Sequence, residues 1–185
     1  MKISIITVCY NSAAIIEDTI KSVIAQTYDN IEYIIVDGGS KDETLTIVEK
    51  YKEHVDVLIS EPDKGIYDAM NKGIEVSTGE IVGILNSDDF YEREDVIRAV
   101  VENFDSSIDL LFGDLVFVKP ENLKKVTRYY SLPKFKRWHL RFGWMPPHPA
   151  TFIRKEVYNQ FGLYKTHYRI SADYEFLCDY SWSRN

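Results

Sequence analysis

The first 90 residues alternate between short apolar runs and amphipathic stretches, and this alternation limits the fold more than any other feature of the chain. The apolar runs lie at residues 3–8, 33–36, 55–59 and 81–85. They have the length and continuity of buried strands, whereas the stretches between them, such as 14–26, carry apolar residues at helical spacing. Strands that alternate with helices form a mainly parallel sheet with helices on both faces. The predicted fold class is therefore α/β.

The remaining predicted elements become less regular beyond residue 90. Helices are predicted at 42–51, 66–76, 94–104, 156–161 and 172–180, and strands at 109–118, 126–131 and 150–153. The strands at 109–118 and 126–131 are longer and suit antiparallel pairing. With 185 residues, of which 45% are hydrophobic, the chain has the size and the apolar content of one folded unit.

The composition excludes several classes of function. A net charge of -7 argues against nucleic acid as the main partner, because neutralising phosphates requires an excess of Lys and Arg. The two cysteines, Cys9 and Cys178, lie too far apart in sequence for the closely spaced pair of a zinc or redox site. The apolar N-terminal run is too short for a signal peptide, and no stretch approaches the length of a membrane span. We therefore expect a cytoplasmic protein.

Three aspartates directly follow apolar strands. Asp37 follows the second strand, and the adjacent Asp88 and Asp89 follow the fourth. Because the carboxyl ends of parallel strands meet at one edge of a sheet, where ligands bind, we expect these carboxylates to converge. Neighbouring carboxylates repel each other, and a divalent cation such as Mg²⁺ or Mn²⁺ is the simplest way to stabilise them. The alternatives stay open that Asp37 forms a turn and that the pair caps one.

Several sequence blocks occur in the order typical of one enzyme family. They are IITVCYN at 5–11, VDGGSKDET at 36–44, EPDKGIYDAMNKGI at 61–74, GEIVGILNSDD at 79–89, HPATFIRKEVY at 148–158 and ISADYEF at 170–176. Through these blocks the chain resembles the family 2 inverting glycosyltransferases with the GT-A fold over nearly its whole length. The resemblance implies a single GT-A domain at 1–185, with a nucleotide-sugar-binding half at 1–90 and an acceptor-binding half at 91–185.

The resemblance also implies how the donor and a metal are held. The first strand's end packs on the nucleotide base, Asp37 accepts a hydrogen bond from it, and a UDP-sugar is the expected donor. Asp88 lies near the ribose, and Asp89 coordinates Mn²⁺ or Mg²⁺, which stabilises the diphosphate as its bond to the sugar breaks. The residues expected at the donor are Thr7, Val8, Tyr10, Asp37, Lys64, Asn71 and Asp88.

The block at 61–74 departs from the family pattern at Met70, where many relatives carry an arginine. Either Lys64 or Lys72 replaces that cation, or the metal alone balances the phosphate charge. The other interpretation of Lys64 is an ordinary exposed turn lysine.

Two late residues complete the predicted site. Inversion requires a base that removes the proton of the acceptor hydroxyl, and Asp173 matches the family's base position. In the first turn of a helix, the ionised form of Asp173 would be favoured by the helix dipole, although such residues often serve only as helix starts. His148, between two prolines, is either a third metal ligand or a structural or acceptor-side histidine.

The segment 119–145 has a composition unlike the rest of the chain. It carries eight Lys and Arg against one acid, which gives +7 within a chain of -7. Aromatic residues interleave with these charges, a mixture that suits anionic lipid headgroups or a polyisoprenyl-linked diphosphate acceptor. The segment predicts peripheral contact with the inner face of the membrane. The alternative is a solvated helix with its aromatic residues in the core.

Two other functions compete with glycosyl transfer to a saccharide or lipid-linked acceptor. The chain ends a dozen residues after Asp173, where relatives continue, so it is alternatively a non-catalytic nucleotide-binding module or a truncated enzyme that needs a partner. A sugar nucleotidyltransferase would require a glycine-rich, basic loop after the first strand to hold a triphosphate. Residues 9–13 contain no glycine, Lys or Arg, which disfavours that activity.

Overall fold

The computed structural model describes residues 1–132 and 134–183. Its strands are β1 Ile3–Cys9, β2 Ile31–Asp37, β3 Val57–Ser60, β4 Ile81–Asn86, β5 Leu110–Phe112, β6 Leu115–Lys119, β7 Asn122–Tyr130 and β8 Thr151–Arg154. Its α-helices are α1 Ile16–Ile24, α2 Thr44–Glu49, α3 Ile66–Val76, α4 Val96–Glu102, α5 Lys155–Phe161 and α6 Ala172–Ser183. Short 3-10 turns cover Lys52–His54, Arg137–Phe142 and His148–Ala150.

A six-stranded sheet in the order β3-β2-β1-β4-β8-β5 forms the centre of the molecule. The first four strands are parallel, and β8 pairs antiparallel with both β4 and β5. The prediction of a mainly parallel sheet flanked by helices is confirmed. Strands from both predicted halves of the chain share this sheet, and the boundary near residue 90 stays a prediction.

Both faces of the central strands β1, β2 and β4 are buried, which explains why these strands read as continuous apolar runs. Successive side chains of β1 alternate between the faces. Ile6 belongs to the core cluster that contains α3, α5 and α6, whereas Ile5 belongs to the cluster under α1, α2 and α4. Helix α3 lies close to the sheet because Gly73 faces Ile6, and a Cβ at Gly73 would lie 2.4 Å from Ile6 Cγ2.

The predicted strand at 109–118 is two strands. The chain breaks at Gly113 and Asp114, so that β5 joins the main sheet while β6 pairs with β7 in a separate antiparallel hairpin. The prediction of one long strand is therefore wrong, although the antiparallel pairing is confirmed. No helix in the described part of the chain is long and apolar enough to cross a membrane.

Candidate active site

The carboxyl ends of β1, β2, β3 and β4 lie together at one edge of the sheet. In the strand register Cys9 pairs with Asp37, Asp37 with Ser60, and Val8 with Asn86. The loops that follow these strands therefore start side by side, as predicted for Asp37 and the Asp88–Asp89 pair.

Asp37 lies at this edge with its carboxylate fully buried and occupied by protein donors. It accepts hydrogen bonds from the Ser40 amide (3.0 Å), the Gly39 amide (3.1 Å) and the Ser60 hydroxyl (2.8 Å). The Cys9 thiol lies 3.8 Å away. These bonds fix the turn after β2, and they correspond to the turn-forming alternative.

Tyr10 is the residue of the first strand's end that offers a side chain to a ligand, with 59% of its surface exposed. The Thr7 hydroxyl lies 3.1 Å from the buried Tyr33 hydroxyl, and Val8 belongs to the core. Packing of the Thr7 and Val8 side chains on a base is therefore corrected, because both point into the protein.

Asp63 lies beside Tyr10 and was missed by the sequence analysis. A Cβ at Gly38 would lie 2.3 Å from Asp63 Oδ2 and 3.4 Å from a ring carbon of Tyr10. Asp63 Oδ1 accepts a hydrogen bond from the Gly65 amide at 2.8 Å. The missing side chain at Gly38 thus makes room for a carboxylate at the edge, a relationship that only the fold reveals.

The turn that carries Asp88 and Asp89 is supported from beneath by α1. The Thr19 hydroxyl lies 2.9 Å from the Ser87 carbonyl oxygen and 2.7 Å from that of Asp89. The Ser87 hydroxyl lies 2.9 Å from the hydroxyl of Ser12. These contacts hold the backbone of the turn in place, so the two carboxylates have a defined position.

Among the described residues, no Lys, Arg or His pairs with the carboxylate of Asp89, whose neighbour Asp88 carries the same charge. Burial and the charge of Asp88 raise the pKa of Asp89 to about 6, and the Asn86 amide, which donates to Asp89 Oδ2 at 3.1 Å, offsets this only partly. Asn86 Oδ1 is buried and has no hydrogen-bond donor among the described residues. A carboxylate and an unpaired amide oxygen are the ligands that Mg²⁺ and Mn²⁺ accept, so the residues present fit a divalent cation.

His148 lines a small cavity of about 10 Å³ together with Asp173. Among the described residues, no group of three or more His, Cys, Asp and Glu side chains could hold a metal. The role of His148 as a third metal ligand stays a prediction, and its observed surroundings include the base candidate Asp173.

A network of hydroxyl groups surrounds Asp173 at the start of α6. The Tyr67 hydroxyl donates to Asp173 Oδ1 at 2.8 Å. The Tyr164 hydroxyl lies 3.5 Å from His148 Nε2 and 2.9 Å from the Tyr158 hydroxyl. Burial lowers the pKa of His148 against the opposing charge of Asp173, so its imidazole is neutral near pH 7. The network offers a proton acceptor, Asp173, held by neutral groups.

The sequence profile of Glycosyl transferase family 2 matches residues 4–162, most of the chain. The chain belongs to glycosyl transferase family 2. It is 32% identical over 179 residues to the PGL/p-HBAD biosynthesis glycosyltransferase of Mycobacterium bovis (strain BCG / Pasteur 1173P2), a match that covers 94% of this chain and 67% of the relative. It is 28% identical over 174 residues to the glycosyltransferase AglE of Haloferax volcanii, covering 89% of this chain and 56% of that one.

Solved glycosyltransferases share the fold. S. aureus TarS 1-349 superimposes with a TM-score of 0.78 at 23% identity, over 98% of this chain and 55% of that one. The mannosyltransferase PcManGT of Pyrobaculum calidifontis, solved with GDP-Man and Mn²⁺, gives 0.68 at 21% identity, over 89% of this chain and 48% of that one. These similarities establish the GT-A fold. The chain thus spans about half of these solved chains and about two thirds of its mycobacterial relative.

Other residues predicted from the family pattern have partners that the sequence did not reveal. Asn71 donates through Nδ2 to the Tyr164 carbonyl at 2.7 Å and accepts from the Tyr164 amide at 3.0 Å. The predicted donor contact of Asn71 stays a prediction, and its amide is engaged with Tyr164 on both sides. Lys72 pairs with Glu61 at 2.8 Å and cannot serve as a free cation. Met70 is buried in the core.

Lys64 is exposed in the turn before α3. Its backbone amide donates to Asp68 at 3.0 Å, and no hydrogen bond or ion pair engages its ammonium group within the described ranges. Of the two lysines considered in place of the family's arginine, Lys64 is therefore the available one.

Two non-glycine residues near the candidate site have a positive backbone φ angle. Asn11 has a φ of 48° and Ser171 has a φ of 70°, the two non-glycine residues with positive φ in the part of the chain described. Asn11 follows Tyr10, and Ser171 precedes α6 and Asp173. Such conformations cost about 1–3 kcal/mol each and concentrate at functional sites.

A cleft of about 1200 Å³ lies between the β6–β7 hairpin and the main sheet. Asp88 and Asp89 line it at one end, and Pro149 and Ala150 line it next to the His148 cavity. The cleft therefore includes the carboxylate turn in its lining.

The segment 119–145 is not a solvated helix. Its described residues, all but Pro133, include the end of β6, the whole of β7 and the 3-10 turn Arg137–Phe142, with irregular chain between them. Trp138, Phe142 and Trp144 are exposed by 52%, 71% and 58% of their surfaces. The alternative that placed the aromatic residues in the core is therefore wrong for these three.

Proposed function

We propose that this protein transfers a sugar from a UDP-sugar to an acceptor hydroxyl, with inversion at the anomeric carbon. The observation that carries the proposal is the uncompensated Asp88–Asp89 turn at the carboxyl edge of a family 2 sheet. A metal-bound diphosphate is the ligand that such a turn would stabilise most.

Tyr10 and Asp63 bind the nucleotide base of the donor in this proposal. Since Asp63 Oδ1 already accepts from the Gly65 amide, one carboxylate oxygen remains, which matches the single ring N–H of uracil. Guanine would present two adjacent N–H groups. TarS has been solved with UDP-GlcNAc, whereas PcManGT was solved with GDP-Man. In this proposal Asp37 does not contact the nucleotide and supports the site by stabilising the turn after β2.

Asp89 and Asn86 Oδ1 would hold Mn²⁺ or Mg²⁺, with Asp88 toward the ribose. A bound divalent cation stabilises the negative charge that develops on the diphosphate as the sugar leaves. The exposed ammonium of Lys64 adds a second positive charge near the phosphates, at the position of the turn before α3.

Asp173 acts as the general base. As the acceptor oxygen attacks the anomeric carbon, the bond from that carbon to the UDP oxygen breaks, and the proton of the acceptor hydroxyl passes to Asp173. The products are the glycoside of inverted configuration, UDP and the protonated carboxyl group. The hydrogen bond from Tyr67 supports this role because it holds one carboxylate oxygen and leaves the other available.

The test is turnover of UDP-glucose or UDP-N-acetylglucosamine, followed as UDP release, with the anomeric configuration of the product read by NMR. Asp173→Asn should lower kcat at least 100-fold without changing the dissociation constant of UDP. Retained configuration, or full activity of Asp173→Asn, would contradict the mechanism. UDP binding with no turnover would instead favour a non-catalytic module or an enzyme that needs further segments, as the partial coverage of its relatives allows.

The acceptor is a saccharide or a polyisoprenyl-linked sugar, reached from the cytoplasmic face of the membrane. The surface that supports this consists of Trp138, Phe142 and Trp144 with nearby cations. The guanidinium groups of Arg137 and Arg141 lie 6.0 and 4.8 Å from the ring of Trp182. Exposed aromatic rings beside cationic groups suit an interface with anionic lipid.

Sedimentation with phosphatidylglycerol vesicles tests this surface. Changing Lys134, Lys136 and Arg137 to Ser should reduce the bound fraction at least fivefold. Changing Lys41, Lys50 and Lys52 to Ser removes the same charge from the opposite half of the sequence and should reduce it less than twofold. Equal binding of the two triple variants would exclude a specific membrane surface.

A further inference from the structure

Helix α3 reaches the segment that carries Asp173 at two points. Tyr67 and Asn71 lie four residues apart, so their side chains leave the same face of the helix one turn apart. Tyr67 contacts Asp173 itself, and Asn71 contacts Tyr164, nine residues earlier in the chain. The two contacts therefore hold both ends of the segment 164–173.

The Asn71 contact is complete on both sides. Its Nδ2 donates to the Tyr164 carbonyl at 2.7 Å, and its Oδ1 accepts from the Tyr164 amide at 3.0 Å. A side-chain amide that pairs with both the N–H and the C=O of one residue satisfies backbone groups as a neighbouring strand would. Asn71 therefore fixes the start of the segment.

The Tyr67 contact fixes the end of the segment. Tyr67 is 9% exposed, and its ring lies 5.7 Å from that of Tyr164. Burial and the nearby charge of Asp173 raise the pKa of Tyr67, so its hydroxyl stays protonated and donates. A donated hydrogen bond to one carboxylate oxygen defines the direction of the other.

The segment between these points lies at the surface, and Lys165 at its start also pairs with Asp179 of α6 at 3.0 Å. Every residue from 165 to 171 is exposed, and Ile170 is exposed by 78%. By contrast, α3 is packed firmly, since Met70 and Ile74 lie in the core. A rigid helix therefore holds a loosely packed segment whose last residue is the base candidate.

We propose that Tyr67 and Asn71 are positioning residues that set the orientation of Asp173. Helix α3 starts directly after Asp63–Gly65, the loop proposed to bind the nucleotide base. The same rigid helix therefore also contacts Asp173, the proposed proton acceptor. The inference rests on the proposed function of Asp173. It assigns Asn71 to the catalytic step and not to donor affinity.

The experiment compares kcat, KM for the UDP-sugar and the dissociation constant of UDP in Tyr67→Phe and Asn71→Ala. Both variants should lower kcat about tenfold, the loss expected for a hydrogen bond to a charged or orienting group, and change UDP binding less than twofold. Tyr51→Phe is the matched control, because Tyr51 donates to a distant carboxylate, Glu17, at 2.6 Å. It should leave kcat unchanged.

A double-mutant cycle separates positioning from general destabilisation. If Tyr67 acts through Asp173, Tyr67→Phe should lower the residual rate of Asp173→Asn less than twofold, although it lowers the wild-type rate tenfold. Equal effects in both backgrounds would overturn the positioning role of Tyr67. A tenfold loss of UDP affinity in Asn71→Ala with unchanged kcat would restore Asn71 as a donor ligand.

The outcomes also distinguish this inference from the proposed function. Full activity of Asp173→Asn would show that Asp173 is not the general base, and the double-mutant cycle would then have no meaning. Loss of activity in Asp173→Asn together with wild-type rates for Tyr67→Phe and Asn71→Ala would remove only the positioning roles. Wild-type rates for Tyr67→Phe and Asn71→Ala therefore do not contradict the role of Asp173 as the general base.

Discussion

At the scale of single residues, four aspartates near one sheet edge differ in what surrounds them. Asp37 is saturated by protein donors, Asp63 keeps one oxygen beside Tyr10, and Asp89 lies beside another carboxylate. Asp173 is held by a tyrosine hydroxyl. These environments support the roles proposed above, which are support of the turn for Asp37, recognition for Asp63, metal binding for Asp89 and proton transfer for Asp173.

Replacing Asp89 with Asn should stabilise the folded protein and weaken the proposed binding of the metal and the donor. Because the folded protein raises the pKa of Asp89 from 3.8 to about 6, the ionised group opposes folding, and stability falls as pH rises through this window. At pH 7 without metal, Asp89→Asn should raise the free energy of unfolding by about 2 kcal/mol. Urea denaturation measures this.

The control for that experiment is Asp29→Asn, which removes the same charge from an exposed loop residue. It should change the free energy of unfolding by less than about 0.5 kcal/mol. If Asp89→Asn were destabilised at pH 7, the carboxylate would have a compensating protein partner, and the metal proposal would lose its physical basis.

Asp37 and Asp63 should respond differently to the same substitution. Asp37→Asn weakens charge-assisted hydrogen bonds and should lower the free energy of unfolding by about 2 kcal/mol while the folded protein still binds UDP. Asp63→Asn should raise the dissociation constant of UDP about tenfold, with stability within about 0.5 kcal/mol of wild type. Denaturation and calorimetry of both variants decide between them, and the reverse pattern would place the base contact at Asp37.

The sequence predicted that Asp37, Asp88 and Asp89 reach the edge, because they follow apolar strands, but it missed Asp63. It could not predict which of them are free. The donors of Asp37 come partly from Ser60 in the next strand, and the partner of Asn71 lies 93 residues away. Such pairings depend on how loops approach each other, and local spacing carries no information about that.

At the scale of elements, the strands and helices of the first 90 residues follow from periodicity alone. The division of 109–118 into β5 and β6 was not predicted, although Gly113 and Asp114 interrupt the apolar run there. The break depends on different partners, since β5 pairs with β8 and β6 pairs with β7. Pairing between distant strands is invisible in the local pattern.

The edge of the sheet opposite the active site is held by a buried carboxylate, Glu32. It accepts hydrogen bonds from Lys2 Nζ (2.8 Å), Ser4 Oγ (2.5 Å) and the Thr78 amide (2.7 Å). Burial raises the pKa of Glu32, but these donors outweigh it and lower the pKa to about 2. The residue joins β1, β2 and the turn before β4.

Glu32 should therefore make stability depend on pH. Its depressed pKa contributes about 3 kcal/mol of stability above pH 4.5, and this contribution is lost as pH falls from 4.5 toward 2. Glu32→Gln should lower the free energy of unfolding at pH 7 by about that amount and flatten its dependence on pH below 4.5. Glu102→Gln, an exposed control, should keep the wild-type profile, and an unchanged profile in Glu32→Gln would contradict the account.

At the scale of the whole molecule, charge is separated in a way that fits the proposed substrates. The segment 119–145 carries +7, so the rest of the chain carries -14, the difference between -7 and +7. An anionic nucleotide bound outside this segment must therefore be met by local cations or by a metal, and the basic segment is left for the membrane and acceptor contacts proposed above. This arrangement is consistent with a donor site and an acceptor surface on separate parts of one fold.

The measurement that tests the central claim most directly is calorimetric titration of UDP into the protein with and without Mn²⁺, repeated with Asp89→Asn. The account predicts that UDP binds the wild-type protein in the presence of Mn²⁺. The dissociation constant of UDP should be at least tenfold higher without Mn²⁺, and at least tenfold higher in Asp89→Asn. Absence of UDP binding under every condition, or equal binding with and without Mn²⁺ in both proteins, would contradict the proposed donor site.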